Sequence, residues 1–204
     1  MEGNKFKNKY RIESSRLSGY DYGQPGWFFI TINTKNRTCW FGDVVNNTVV
    51  LSNAGRIVTD EWKRTAEMRP HVRLDEWVVM PNHMHMLFAI VDAGMMTTHD
   101  DTVDVETHCN ASLPTPPKQP HPYKPISTQP PYKNEFGPQR NNVASIIRGF
   151  KGVCTNRIKS ETPIVHFAWQ PRFYDRIIRD ERGIYAVRQY IRNNPGKWHH
   201  GQNH

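Results

Sequence analysis

Residues 76–91 read Glu76-Trp77-Val78-Val79-Met80-Pro81-Asn82-His83-Met84-His85-Met86-Leu87-Phe88-Ala89-Ile90-Val91. Two apolar runs meet at Pro81-Asn82, a turn dipeptide, so the segment predicts two strands, Glu76 to Met80 and Met84 to Val91. Side chains on a strand alternate between its faces. His83, His85, Leu87 and Ala89 therefore share one side, and Met84, Met86, Phe88 and Ile90 share the other. One face can rest on helices while the start of the opposite face presents both imidazoles. His-x-His on a strand is a recurrent metal-ligand spacing, because alternate residues bring two imidazoles close enough to share one cation. The chain has ten histidines, so such a pair also arises by chance, packed or solvated. Its position at a strand end beside a turn, where sites open to solvent, favours the metal reading.

Working outward, Trp27-Phe28-Phe29-Ile30-Thr31-Ile32 is aromatic and β-branched and predicts a strand. Residues 44–51 form a hairpin pattern around Asn46-Asn47, since asparagine tolerates the positive φ of tight turns. Ser52 is a helix cap, and the helix runs to about Met68 with Ile57, Val58, Trp62 and Ala66 near one face, until Pro70 stops it. Downstream, nine of the fifteen prolines fall between Pro114 and Pro138. Neither helix nor central strand tolerates that density, so about 93–140 reads as a long, poorly ordered insertion. Val143, Ile146, Ile147, Phe150 and Val153 then repeat with helical period behind a cap at Asn141 or Asn142, with Arg148, Lys151 and Arg157 on the other side. His166 to Gln170 predicts a short edge strand. Asp180 starts a last helix to about Asn193 that buries Ile184, Val187 and Ile191.

Composition narrows the function classes. With 204 residues, 27 Lys+Arg against 19 Asp+Glu and a net charge of +8, the chain suits one core and a partner covered in phosphates. Three widely spaced cysteines without a CxxC argue against a disulfide framework or a cysteine-built zinc site. No signal-like apolar stretch stands at the start, and no run approaches the ~18 to 20 apolar residues of a membrane span. The expectation is a cytoplasmic protein with no membrane partner. Residues 1–22 are polar and basic, either a frayed terminus or an arm that touches DNA, and 23–204 make one interrupted domain.

Tyr190 and Asn194 stand one helical turn apart on the last helix, so a phenol and an amide share a face. Pro195 disfavours helical backbone at Asn194 and puts it in the last turn or just beyond. Three blocks then carry a resemblance: Trp77 to His85, Trp169-Gln170-Pro171-Arg172-Phe173-Tyr174-Asp175, and Tyr190-Ile191-Arg192-Asn193-Asn194-Pro195. Ile146 to Lys151 and Arg16 to Tyr22 add to it. Together and in this order they resemble REP-associated tyrosine transposases of the HUH (His-hydrophobic-His) nuclease class.

That resemblance implies an α+β, ferredoxin-like fold, an antiparallel sheet with helices packed on one face, here carrying the proline-rich insertion. It implies Mg²⁺ or Mn²⁺ held by His83, His85 and Asn194, and Tyr190 as the nucleophile. Tyr174 is a rival, and Tyr190 is preferred because it has a polar partner one turn onward. The activity implied is nicking and rejoining of single-stranded DNA at palindromic REP-type hairpins through a 5′-phosphotyrosine, by a monomer or homodimer. Candidate DNA contacts are Arg11, Arg16, Tyr22, Arg148, Lys151 and Arg172. The alternatives are a domesticated hairpin-binding protein with little or no turnover, and a metal-dependent hydrolase that uses water.

Overall fold

The computed structural model describes residues 20–92 and 141–198. The arm residues Arg11 and Arg16 and the insertion expected at about 93–140 lie outside them. The described chain runs β1 (Gly26–Asn33), a 3₁₀ turn (Lys35–Arg37), β2 (Gly42–Val45), β3 (Thr48–Leu51), α1 (Asn53–Met68), β4 (Val72–Met80), β5 (His83–Ile90), α2 (Val143–Glu161), β6 (Tyr174–Ile178), α3 (Glu181–Arg192) and a second 3₁₀ turn (Pro195–Lys197). Four strands form one antiparallel sheet in the order β4-β5-β1-β6, and β2 and β3 pair as a separate hairpin. This is the α+β, ferredoxin-like order of two split β-α-β units.

Local chemistry sets the boundaries. Asn46 and Asn47 both take positive φ, 51° and 60°, which turns β2 into β3. The three helices are capped by Ser52, Asn142 and Asp180, each accepting a backbone N–H three residues on. Gly55 lets the start of α1 lie directly on the chain, since a Cβ there would stand 2.2 Å from the Phe41 carbonyl oxygen.

β1 and β5 put Phe28, Ile30, Ile32, Met84, Met86, Phe88 and Ile90 on the face covered by α1 and α2. Trp62 of α1 meets Phe88 and Phe150 edge-on at 5.4 and 5.3 Å. Full burial of one such side chain contributes roughly 1.5–3 kcal/mol. Glu61, 4% exposed, bridges the two helices through Arg157 at 2.8 Å. The helix on the opposite face is α3, which seats Val187 and Ile191 on Phe29, Leu87 and Ile178. The sheet is thus sandwiched, and β5 is buried throughout.

Several sequence expectations shift. Helices cover both faces of the sheet rather than one, because α3 carries its own apolar stripe to the side opposite α1 and α2. Residues 166–170 form no strand: they touch the sheet through one isolated bridge, Thr34 to Trp169, because only Asn33 to Lys35 runs alongside them. Val153 is exposed and Cys154 takes the buried position on α2. Ile184 is partly rather than fully buried.

β4 begins at Val72, earlier than expected, because it contains a bulge. Leu74 pairs with Phe88 and Trp77 with Met86, so Asp75 and Glu76 together face only Leu87. The extra residue switches the alternation, and Val72, Leu74, Trp77 and Val79 all pack on the α1/α2 side. Both bulge carboxylates are left to reach α3. Arg188 grips Asp75 with two bonds, at 2.7 and 2.5 Å, and Arg192 meets Glu76 at 2.7 Å. Asp75 is 15% exposed, so solvent screens the pair only in part. A double-mutant cycle on Asp75→Ala and Arg188→Ala should give a coupling of about 1 kcal/mol at low salt, shrinking in molar NaCl. A coupling indistinguishable from zero at low salt would contradict this docking of α3.

Candidate active site

The β1–β5 register places Asn33 opposite His83 and Thr31 opposite His85. The face that the alternation of β5 assigns to the imidazoles is therefore continued by polar residues of β1. The Nε2 atoms of His83 and His85 lie 3.1 Å apart. Each ring is fixed from behind. His83 Nδ1 is 2.7 Å from Asn82 Oδ1, and His85 Nδ1 is 2.7 Å from Thr31 Oγ1. Asn82 Nδ2 donates to the Arg37 carbonyl at 3.1 Å, which orients the amide so that its oxygen faces His83. An amide oxygen only accepts, so Nδ1 of His83 carries the hydrogen and Nε2 turns a lone pair toward His85.

Two imidazole nitrogens this close hold between them either a hydrogen, which a neutral His85 can carry on Nε2, or a cation. Burial, then the nearby Arg37, pushes His83 down to about 4, opposed by the Asn194 side chain, whose amide oxygen favours the protonated ring as an acceptor. Burial, then His83 and Arg37, pushes His85 down to about 3. Both rings are thus uncharged at neutral pH, the form in which an imidazole nitrogen can ligate a metal ion. Among the described residues no three His, Cys, Asp or Glu side chains cluster for a metal. The third available donor is the amide of Asn194, which lines the same cleft as both histidines. Its backbone is helical despite Pro195 (φ −62°, ψ −43°), because it leads straight from α3 into the second 3₁₀ turn.

Tyr190 completes the group. Its hydroxyl is 3.4 Å from His85 Nε2, and its ring meets Phe29 edge-on at 5.8 Å. The ring is 42% exposed, so the phenol is open to a substrate. Tyr174, on the edge strand β6, is 54% exposed and also meets Phe29 edge-on, at 6.4 Å. The two histidines, both tyrosines, Phe29, Thr31 and Asn194 line one cleft of about 640 Å³, to which Arg37, Lys197 and Trp198 also contribute, and no Asp or Glu is among its lining residues.

The fold thus brings His83, His85, Tyr190 and Asn194 together, with Tyr174 nearby. None of Tyr22, Arg148, Lys151 and Arg172 lines this cleft. Tyr22 stacks on Phe28, and Arg148 and Arg172 are exposed. Lys151 donates to the carbonyls of Gln170 and Arg172 at 2.6 and 3.2 Å, pinning the connection into β6, and burial pushes it down to about 8. Thr31, Asn33, Arg37, Lys197 and Trp198 escaped the sequence reading. For Thr31 and Asn33 the signal was present: they are the polar alternates to Phe28, Ile30 and Ile32.

The lowered imidazole values carry a sign. Between pH 6.5 and about 4 the unfolded chain binds more protons than the folded one, so stability falls as pH falls through that window. Ring ¹⁵N shifts of His83 and His85 should show both neutral at pH 5.5. A midpoint at or above 6 for either would contradict the buried, mutually opposed pair.

No family model matches this chain. A solved REP-associated tyrosine transposase bound to a REP hairpin superposes with a TM-score of 0.48 at 18% identity, covering 93% of this chain and 74% of that one. A 49-residue stretch is 45% identical to the uncharacterized protein YncE of Escherichia coli K12, covering 21% of this chain and 14% of that protein. An uncharacterized protein of Haemophilus influenzae is 33% identical over 189 residues, covering 93% of this chain and 91% of its own length. At that identity and coverage, this chain and the Haemophilus influenzae protein belong to one family.

Proposed function

We propose that this protein is a tyrosine transposase of the REP-associated type, which nicks and rejoins single-stranded DNA at palindromic hairpins. The observation that carries the proposal is the Tyr190 hydroxyl, 3.4 Å from His85 in a cleft shared with His83 and Asn194. The cationic, carboxylate-free lining and the three sequence blocks support it as well. His83, His85 and Asn194 would hold Mg²⁺ or Mn²⁺, which supplies Lewis-acid polarisation of a phosphate oxygen. Two imidazoles and an uncharged amide favour Mn²⁺ over Mg²⁺.

The chain's own residues supply the remainder. Phe29 and His85 hold the phenol ring of Tyr190 edge-on, so the oxygen faces the cleft. That oxygen attacks phosphorus, its new P–O bond replaces the bond to the 3′ oxygen, and the pentavalent charge is met by preorganised groups. The phenol loses one proton and the leaving 3′ oxygen gains one. The products are a 5′-phosphotyrosine and a free 3′-hydroxyl. A second 3′-hydroxyl can reverse the exchange, so the strand is rejoined without ATP. A single strand suits the open cleft, because its phosphates approach without a paired duplex around them.

The test is a denaturing gel of protein, Mn²⁺ and a hairpin oligonucleotide labelled on the 3′ side of the cleavage point. A covalent protein–DNA band is expected, falling roughly 10³-fold or more in Tyr190→Phe and in His83→Ala. Cleavage that survives Tyr190→Phe without a covalent band would transfer the chemistry to water. Tight hairpin binding with no cleavage under either metal would leave a DNA-binding protein without turnover.

A further inference from the structure

The cleft holds more positive charge and more hydrogen-bond donors than its own residues satisfy. Arg37 is half-buried, yet it forms no ion pair with any described residue, whereas the half-buried Arg157 and Arg188 each hold a carboxylate. The lining offers it none. Lys197 stands in the same cleft. Trp198, whose ring lies 6.0 Å from that of His83, has a buried Nε1–H without a partner among the described residues. A buried donor left unpaired is costly, and each such atom calls for an acceptor. The nearby unpartnered Asn33 Oδ1 is itself an acceptor and takes no part in holding an anion.

The backbone around Arg37 is held in an uncommon conformation. Asn36 and Arg37 both take left-handed φ, 56° and 55°, a conformation that arginine seldom adopts. It is held by Arg37 N–H to the Thr34 carbonyl at 3.2 Å and by Asn82 Nδ2 to the Arg37 carbonyl at 3.1 Å. The Thr34 backbone N–H secures Asn82 in turn, donating to its carbonyl at 2.9 Å. Asn82 also orients His83. One buried amide therefore sets Arg37 in register with the histidine pair, and the positive field of Arg37 reaches both rings.

We propose that Arg37, Lys197 and the indole N–H of Trp198 form a seat for a backbone phosphate of the DNA strand, beside the His83–His85 pair. A phosphodiester supplies the missing counter-charge to Arg37 and Lys197 and the missing acceptor for Trp198 in one group. The seat takes its ligand class from the function proposed above, and it is tested apart from turnover.

The probe is fluorescein-labelled dT12, titrated in EDTA and read by anisotropy over a range of NaCl concentrations. Arg37→Gln should weaken binding about tenfold and flatten the slope of log K against log salt by about 0.7, one phosphate contact to a single strand. Arg37→Lys should recover part of the affinity. Trp198→Phe, which keeps a ring against His83 and removes the N–H, should cost about threefold, a readout that stands even if Arg37→Gln fails to fold. Lys63→Gln, on the exposed side of α1, should change neither affinity nor slope. Wild-type affinity and slope in Arg37→Gln would overturn the seat, as would failure of the wild-type protein to bind dT12. If Arg37-dependent binding persists but no covalent adduct forms in the gel assay, the seat stands and the transposase reading falls. If the adduct forms and Arg37→Gln leaves both binding and adduct intact, the seat alone falls.

Discussion

The pairing of β5 with β1 is the constraint on which everything else rests. Its register sets Thr31 against His85 and Asn33 against His83, and a slip of one residue would turn both histidines into the aromatic core. The same slip would bring Met84 and Met86 to the cleft, so one set of backbone bonds decides core and chemistry together. Burial of Phe28, Ile30, Met86 and Phe88 beneath α1 and α2 makes that slip expensive. The histidine pair is thus positioned by hydrophobic energy acting on the far side of the same strands.

A second constraint comes from β4. Two adjacent acids on a regular strand would face opposite ways, but the bulge sends Asp75 and Glu76 to the same helix. They hold Arg188 and Arg192, one turn apart on α3 and flanking Tyr190 in sequence. The apolar seat of Val187 and Ile191 on Leu87 and Ile178 sets the helix height. Together these fix the phenol over His85, while Asn194 follows through the helical link into the last 3₁₀ turn.

Much of this was legible in the sequence. The alternation from His83 to Ile90 identified the strand and its two faces, and Ser52, the Asn141-Asn142 pair and Asp180 marked helix starts because capping is a local interaction. The i, i+4 spacing of Tyr190 and Asn194 placed both on one helix face for the same reason. What stayed hidden depends on partners distant in sequence. Arg37 and Trp198 join the cleft only through tertiary contacts, and their types carry no period. Residues 166–170 look like a strand locally but find only Thr34 to pair with. The bulge left a trace that went unread: Leu74 and Trp77 are both large and apolar and three apart, a spacing no regular strand can bury on one face.

The central claim is that the Tyr190 oxygen, rather than that of Tyr174, forms the bond to DNA. The two tyrosines flank the same phenylalanine, and trypsin separates them into Gln189-Tyr190-Ile191-Arg192 and Phe173-Tyr174-Asp175-Arg176. Mass spectrometry of the nuclease-trimmed, trypsin-digested adduct should find the nucleotide phosphate on the first peptide. Finding it on the second, or on neither while the strand is cut, would contradict the account.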